Sequence, residues 1–529
     1  MTEVPRAVRD HRVVVVGAGI GGLVSALLLA RQGLHVTLLE AADTPGGKMR
    51  QQQIDGVAID AGPTVFTMRW VFEQILHAAG FSMADLPPLT PLSVLARHAW
   101  RGHETPLDLF ADRQRSAEAI GQFSSPAEAR RFIGFCDLAQ KVYAQLEGPY
   151  LRGAKPSVAS MIAQLGPQGL ATLTGLGPFA SLWRHLGRHF HDPRLRQLFG
   201  RYATYCGASP WQAPATLMLV AQVELNGVWS VQGGMHAVAQ RFAVLAAQRG
   251  AVLRYATRCE GIVLKNGRVR GVRLAGGEEL PADSVVFNGC PQALADGLLG
   301  EAVRHAVPPL PRRKRSLSAL TWTARTRTAG FALARHNVFF DTDYKSEFDD
   351  IFQRRRLPQN GTVYVCAQDR DQAVPVPPGA AERLLCLVNA PADGDRRPFD
   401  DEECGPCEQQ SLALLRGCGL QIDWSPPQVR PTTPADFSRQ YPASGGALYG
   451  QATHGWMALF QRPGSRCKVP GLYLAGGGVH PGPGVPMAAL SGQLAAAALM
   501  AHLDSTSRLH RVATSGGTST PSATTAAMP

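Results

Sequence analysis

The sequence predicts an α/β fold, α+β overall: a Rossmann-type parallel sheet gathered from three separated stretches of chain, with a second domain inserted between them. Three observations predict it. Residues 13–39 read as a strand, a glycine-rich turn, a helix and a second strand; further short strands recur only near residues 251–287 and 471–475; and long, proline-rich segments of mixed helical patterning separate these blocks. With 529 residues, 45% hydrophobic and 18% charged, the chain is no disordered polymer and suits one large two-domain protein.

Each element has a local reason. Residues 13–16 are four consecutive valines, the signature of a strand buried on both faces. Residues 23–30 are apolar over the length of a helix, which Gly33 closes, and residues 34–39 form the next parallel strand. Residues 251–263 and 269–274 read as strands joined by the Asn266–Gly267 turn, and residues 285–287 and 471–475 add two short strands. The predicted division is 10–75, 228–295 and 465–504 for the nucleotide domain, and 76–227 with 296–464 for the inserted one. From Ser505 to residue 529 the chain is rich in Ser, Thr, Ala and Gly without apolar periodicity, so an unstructured tail is expected.

Composition narrows the function classes. The net charge is +12, mostly from arginine, and the densest run is Arg312, Arg313, Lys314 and Arg315. Neither zinc-finger spacing nor an aromatic–basic RNA-binding pattern occurs, so no nucleic-acid partner is expected. Ten cysteines without framework spacing exclude a disulfide-stapled scaffold. Arg6, Arg9 and Arg12 before an apolar stretch have the outline of a signal peptide, but glycines at 17, 19, 21 and 22 break it, and the pattern continues into a second strand, so a folded N-terminus is expected. Elsewhere no uninterrupted apolar run approaches the roughly 20 residues of a membrane span, so the expected location is the cytoplasm or its membrane face.

The chemistry concentrates in glycine-rich blocks. In residues 17–22, GAGIGG, Gly17 permits a tight turn, Gly19 lets a diphosphate approach the backbone, and Gly22 lets the helix pack on the strand; the helix N-terminus then faces the anion. Glu40, at the end of the second strand, is placed to accept from a ribose hydroxyl and would repel a 2′-phosphate, which argues against NADP. FAD and NAD share this fingerprint. A second glycine pair beside a cation, Gly46–Gly47–Lys48, followed by Asp60, Gly62 and Thr64, suits the additional contacts of a flavin dinucleotide, although glycine pairs also occur in ordinary loops. At the far end, residues 471–497 run from a strand through a glycine–proline loop containing Gly477 to a helix opening near Val485 and Met487, whose N–H groups suit the pyrimidine edge of a flavin.

With these blocks in view, the chain resembles the carotenoid (phytoene) desaturase family of FAD-dependent oxidoreductases, up to about residue 500. The resemblance rests on residues 13–40, 45–50, 60–64, 231–235 and 476–491, in that order and spacing. Residues 60–73 and 201–215 look most like family members that introduce the 3,4 double bond of a 1-hydroxycarotenoid; Val479 and Pro483 depart from the small residues usual in the family. The resemblance implies that Gly17, Gly19, Gly22 and Glu40 hold the ADP half of FAD, that Gly47, Lys48 and Gly62 lie near the phosphates and ribityl chain, that the Cys259 backbone meets adenine, and that Gly477, Val485 and Met487 fall near the flavin ring.

A carotenoid offers no charge or amide to grip, so binding needs a long apolar channel. Dehydrogenation is expected as hydride transfer to flavin with loss of a proton from the neighbouring carbon, for which His480 and Glu224 are the candidate acceptors. A lipid-dissolved substrate implies peripheral, monotopic docking on a membrane, with the Arg312–Arg315 run (residues 312–315) a place to look, and a quinone or oxygen as electron acceptor. Phytoene desaturation, carotenoid isomerisation, flavin amine oxidation and a flavin-free lipid chaperone are the rival readings. Three patterns are set aside. Cys404-Gly-Pro-Cys407 spells a redox pair but lies in an acidic stretch without a preceding strand; His185 and His189, with His191 and Asp192, have zinc-like spacing but no hydrolytic context, so no metal is expected; Trp211 and Trp229 suit core or tunnel lining equally.

Overall fold

A computed structural model of the chain describes residues 10–177, 180–370, 376–377 and 379–513. Five parallel strands form one sheet in the order Val252–Arg254, His35–Leu39, Arg12–Val16, Ser284–Phe287 and Leu472–Leu474. The valine strand is central, with Val13 and Val15 in the apolar cluster on one face and Val14 in the cluster on the other, as an unbroken β-branched run requires. Helix Ile20–Arg31 begins three residues earlier than the apolar run alone indicates, directly after Gly19, and is buried from Ile20 to Ala30.

The stretch 251–263 is not one strand. Val252–Arg254 joins the parallel sheet, Ala256 turns with φ 47°, and Cys259–Lys265 starts a separate hairpin with Arg268–Leu274. The break has a physical cause: the Ala256 and Thr257 N–H groups bond the carbonyls of Ala42 and Glu40, carrying the chain across the end of the second strand. Asn266 and Gly267 both take positive φ, the conformation that a tight Asn-Gly hairpin demands.

The segments between the sheet strands build a seven-stranded sheet, ordered Val429–Thr432, Ser318–Thr326, Glu382–Ala390, Val363–Ala367, His336–Phe340, Val94–Trp100 and Leu107–Phe110. Its pairing is antiparallel except between His336–Phe340 and Val94–Trp100, which joins the two sequence-distant insertions into one layer. Helices Arg113–Phe123, Pro126–Leu146, Val158–Gly175, Leu182–His189, Pro193–Gly200 and Leu219–Leu225 complete this side.

The last helix, Val485–Ala513, runs on past Ser505, whose hydroxyl bonds back to the His502 carbonyl; the rest of the expected tail, residues 514–529, lies outside the described residues. By length and composition alone Val485–Thr506 is sufficient to cross a membrane, although Ser491, Gln493, His502 and Asp504 interrupt its apolar run. Its near face is taken by helix Ile20–Arg31: Ser25 Oγ donates to the Gly492 carbonyl at 3.0 Å, and a Cβ on Gly492 would meet Gly21 O at 2.2 Å.

Candidate active site

The site is a convergence of backbone turns. Gly17 takes φ 100° and its N–H donates to the Leu39 carbonyl at 2.7 Å, while a Cβ on Gly22 would stand 2.0 Å from Gly17 O. Gly19 pairs with Gly46 across an isolated bridge, and a Cβ on Gly47 would lie 3.2 Å from the Gly19 Cα. Glu40 holds the turn in place, one carboxylate oxygen accepting from Ala18 N at 2.7 Å and the other from Ala42 N at 2.9 Å. From the opposite end of the chain comes the glycine–proline loop: a Cβ on Gly21 would meet both Gly476 N and Ala488 O at 2.9 Å, and Ser491 Oγ accepts from Gly476 N at 2.6 Å. Thus Gly476 and Ala488, which bracket Gly477, Val485 and Met487 in sequence, stand beside the first turn although more than 450 residues of chain intervene between Gly21 and Gly476.

These residues fit a dinucleotide. The helix start at Ile20 presents first-turn N–H groups that have no partner within the helix. Under it lies Asn288, whose Nδ2 donates to Gly17 O at 3.3 Å and whose buried Oδ1 has no protein partner. Gly19, Gly21 and Gly22 let the turn close tightly on Asn288 and on itself: a Cβ on Gly19 would meet Asn288 Nδ2 at 2.8 Å, and one on Gly21 would meet Asn288 Oδ1 at 2.7 Å.

The neighbouring loop is buttressed rather than free. Lys48 Nζ donates to the Leu448 carbonyl at 2.5 Å, and burial pulls its pKa down to about 8. The Met49 carbonyl accepts from His236 Nδ1 at 2.7 Å, and Asp60 accepts from Met235 N at 2.5 Å, so the 231–235 block supports the loop from behind. Gly62 has a packing duty here, since a Cβ would lie 1.9 Å from the Lys48 carbonyl. Cys259 begins the hairpin two residues after Thr257, whose N–H reaches the Glu40 carbonyl, so its backbone lies along the flank of the Glu40 turn. Arg462 is buried and donates only to carbonyls, those of Tyr449 at 3.0 Å, Gly477 at 3.3 Å and Gln451 at 2.6 Å. Neither Lys48 nor Arg462 has a carboxylate partner among the described residues, so both leave positive charge available to an anion.

The two candidate proton acceptors fall in separate clusters. Glu224 accepts from Tyr202 at 2.7 Å and from Tyr205 at 3.0 Å, and Tyr205 also accepts from Arg201 at 3.0 Å. Burial raises the Glu224 carboxyl above its ordinary value, opposed by the Tyr202 hydroxyl and the Arg201 charge. Thr64 and His336 meet the Tyr364 hydroxyl at 2.7 Å each, and Arg201 lies over that ring, so the polar chain reaches back to the 60–64 block. His480 is fully buried, with Nε2 donating to the Gly153 carbonyl at 3.1 Å and Nδ1 unpartnered. Burial lowers its pKa to about 4, so it is neutral at neutral pH. Tyr150 packs edge-on against it and donates to the Pro481 carbonyl at 3.1 Å.

Arg201, Tyr205, Asn288 and Arg462 were not singled out by sequence reasoning. Residues 201–206, RYATYC, stood inside a recognised block without an assigned chemistry, whereas nothing near Asn288 or Arg462 marks them before the fold brings them in. Three further patterns lie elsewhere in the fold. Cys404 and Cys407 lie in the first turns of helix Asp401–Gly417 as free thiols, both pushed up to about 12 by burial with acidic neighbours adding to it. His185 and His189 contact each other at 3.1 Å, and no metal-holding group of three exists among the described residues. Trp211 packs on Trp183 and Trp229 packs edge-on against Phe66, both partly buried at the margin of an apolar cluster.

Comparison with known proteins agrees with this geometry. The pattern of the family described as flavin containing amine oxidoreductase matches residues 20–500. The chain is 66% identical over 521 residues to a hydroxyneurosporene desaturase of Rubrivivax gelatinosus, covering 98% of this chain and 99% of that protein. To a hydroxyneurosporene desaturase of Cereibacter sphaeroides it is 44% identical over 497 residues, covering 94% and 99%. A crystal structure of an oxidoreductase from Methanosarcina mazei superposes with a TM-score of 0.57 at 15% identity, over 93% of this chain and all of that one, which establishes the shared fold.

Proposed function

The chain belongs to the flavin-containing amine oxidoreductase family, among its carotenoid desaturases, and from that premise we propose that it is an FAD-dependent enzyme that introduces the 3,4 double bond of a 1-hydroxycarotenoid of the hydroxyneurosporene type. The observation that carries this reading is the contact of Gly21 with Gly476 and Ala488, which closes one dinucleotide cradle from stretches at opposite ends of the chain. The carotenoid class rests on the 66% likeness over almost the whole chain.

Bound flavin supplies the acceptor for the electron pair that leaves with one hydrogen. The chain supplies the rest. The turn at Gly17, Gly19 and Gly22 and the Glu40 carboxylate hold the ADP half; Lys48 and Arg462, paired only with carbonyls, offset the negative charge of the cofactor. Val485 and Met487 open a helix whose N-terminus favours charge on the flavin edge, and with Leu219, Val223 and Trp229 they supply apolar surface that excludes water and aligns the polyene. Glu224, fixed by two tyrosine hydroxyls, takes the proton from the neighbouring carbon or steadies the positive charge delocalised along the chain. His480 is the alternative acceptor through its unpartnered Nδ1. On this reading residues 10–75, 228–295 and 465–504 make the FAD domain, and 76–227 with 296–464 bind substrate and dock on the cytoplasmic face of the membrane. A quinone or oxygen receives the electrons, as the single GxGxxG fingerprint leaves no second dinucleotide site in the sequence.

The test offers the purified protein membranes carrying 1-hydroxyneurosporene, neurosporene or phytoene. A product two hydrogens lighter with longer-wavelength absorption, formed fastest from the hydroxylated substrate, is expected. A product of unchanged mass points to isomerisation, and hydrogen peroxide formed only from amines points to amine oxidation; either overturns the proposal.

A further inference from the structure

Two long tracts of this chain carry no acidic residue. No Asp or Glu occurs between Glu147 and Asp192, nor between Asp436 and Asp504, in a protein with 41 such residues in 529. The fold brings these tracts together: Tyr150 donates to the carbonyls of Leu459 and Pro481, His480 bonds Gly153, and the Lys155 side chain lies against Gly464. Within the first tract, helix Val158–Gly175 contains no charged residue of either sign. A helix with an open face in water ordinarily carries charge on it. Here that face instead shows Ile162 at 49% and Leu170 at 38% exposure, and the second tract adds Trp456 at 41% and Met457 at 37%.

What flanks this apolar surface is basic. Lys155 precedes the helix and is exposed, and Lys314 Nζ bonds Gln461, one residue past Phe460 in the segment that opens with Trp456. Arg313, also exposed, adjoins Lys314, while Arg312 and Arg315 in the same run are taken by Asp393 and Asp395. Apolar residues with an aromatic at the edge and a basic rim, in two tracts that themselves contain no carboxylate, match an anionic lipid surface. On its inner side the helix buries Met161 and Leu165 in the apolar cluster that also takes up Leu459, Phe460, Val485 and Met487. Apolar contact is therefore continuous from the exposed face to the loop that faces the flavin.

We propose that helix Val158–Gly175 and residues 456–460, rimmed by Lys155, Arg313 and Lys314, form the face by which the protein docks on an anionic bilayer and through which its apolar substrate enters. The inference rests on the carotenoid-desaturase reading for the identity of what enters. The helix is bent within this face, at Gly166 with φ 61° followed by Pro167, so its two halves present apolar side chains at an angle rather than along one straight stripe.

The test uses the FAD-loaded full chain, with I162D/L170D and W456S/M457S as variants and V244D, exposed on helix Met235–Gln248, as control. Co-sedimentation is measured with vesicles of phosphatidylcholine alone and with added phosphatidylglycerol, and turnover with substrate in vesicles and in detergent micelles. Wild type and V244D should sediment with the anionic vesicles. Both double variants should lose sedimentation and at least tenfold of vesicle turnover, yet keep bound flavin and micellar turnover. Unchanged sedimentation of both variants overturns the docking face while leaving the enzymatic reading intact. Equal sedimentation with neutral and anionic vesicles overturns the role of the basic rim, and a wild-type dimer in the absence of lipid that both variants abolish assigns the face to a second copy instead. Variants that lose flavin and micellar turnover together show the face to be part of the fold's core and also contradict the proposal; absence of any turnover in wild type contradicts the enzymatic reading rather than this one.

Discussion

At the scale of single residues, function depends on atoms that are missing as much as on those present. Gly22 has no room for a Cβ, and Gly21 is confined by Gly476 and Ala488, so Gly22→Ala should yield a folded protein that retains little flavin, read from the absorbance of the purified protein. Full flavin content in that variant would show that the turn tolerates displacement. Glu224→Gln keeps the shape and loses the proton acceptor; an expected fall in turnover of about a hundredfold with flavin still bound assigns the proton to it. If instead Glu224→Gln is fully active and His480→Ala is not, the unpartnered Nδ1 of His480 is the acceptor. The glycines and Glu40 were legible in the sequence because a tight turn restricts which residues can occupy it. Arg462 was not, since its partners are carbonyls that any residue supplies.

At the scale of elements, the site depends on how closely two helices approach. Helices Ile20–Arg31 and Val485–Ala513 touch through Gly21 and Gly492, where a Cβ would meet backbone at 2.2 Å and something must shift. Gly492→Ala should cost about 1–3 kcal/mol in chemical denaturation and loosen flavin binding with it. Gly134, exposed in helix Pro126–Leu146 with open space around it, is the contrast: Gly134→Ala should stabilise by up to about 1 kcal/mol and leave flavin untouched. Equal effects at the two sites would show that helix propensity, not close approach, governs Gly492. The sequence revealed the strand–turn–helix start and the Asn266–Gly267 hairpin because local patterning specifies both. It did not reveal that residues 251–263 break at Ala256, because the break is imposed by backbone bonds to Glu40 and Ala42. Nor did it show His336–Phe340 pairing in parallel with Val94–Trp100, a contact specified by neither segment alone.

At the scale of the molecule, burial makes stability depend on pH. His98 and His336 are pulled to about 3, and His185, His454 and His480 to about 4, each chiefly by burial. The unfolded chain binds these protons from about 6.5 downwards and the folded chain does not, so their contribution is present above pH 6.5 and lost as pH falls towards 4. The raised carboxyls of Asp60, Glu224 and Glu347 act in the opposite sense, but they are fewer. The urea midpoint should therefore fall between pH 6.5 and 4.5, and a midpoint that rises over that interval would contradict the buried, neutral histidines. The central claim, that three distant stretches enclose one flavin facing an apolar passage, is tested most directly by a single turnover without oxygen. Purified yellow protein mixed with one equivalent of 1-hydroxyneurosporene should lose its flavin absorbance in step with the appearance of a longer-wavelength polyene two hydrogens lighter. Product formed while the flavin stays oxidised, or bleaching without a new polyene, would contradict it.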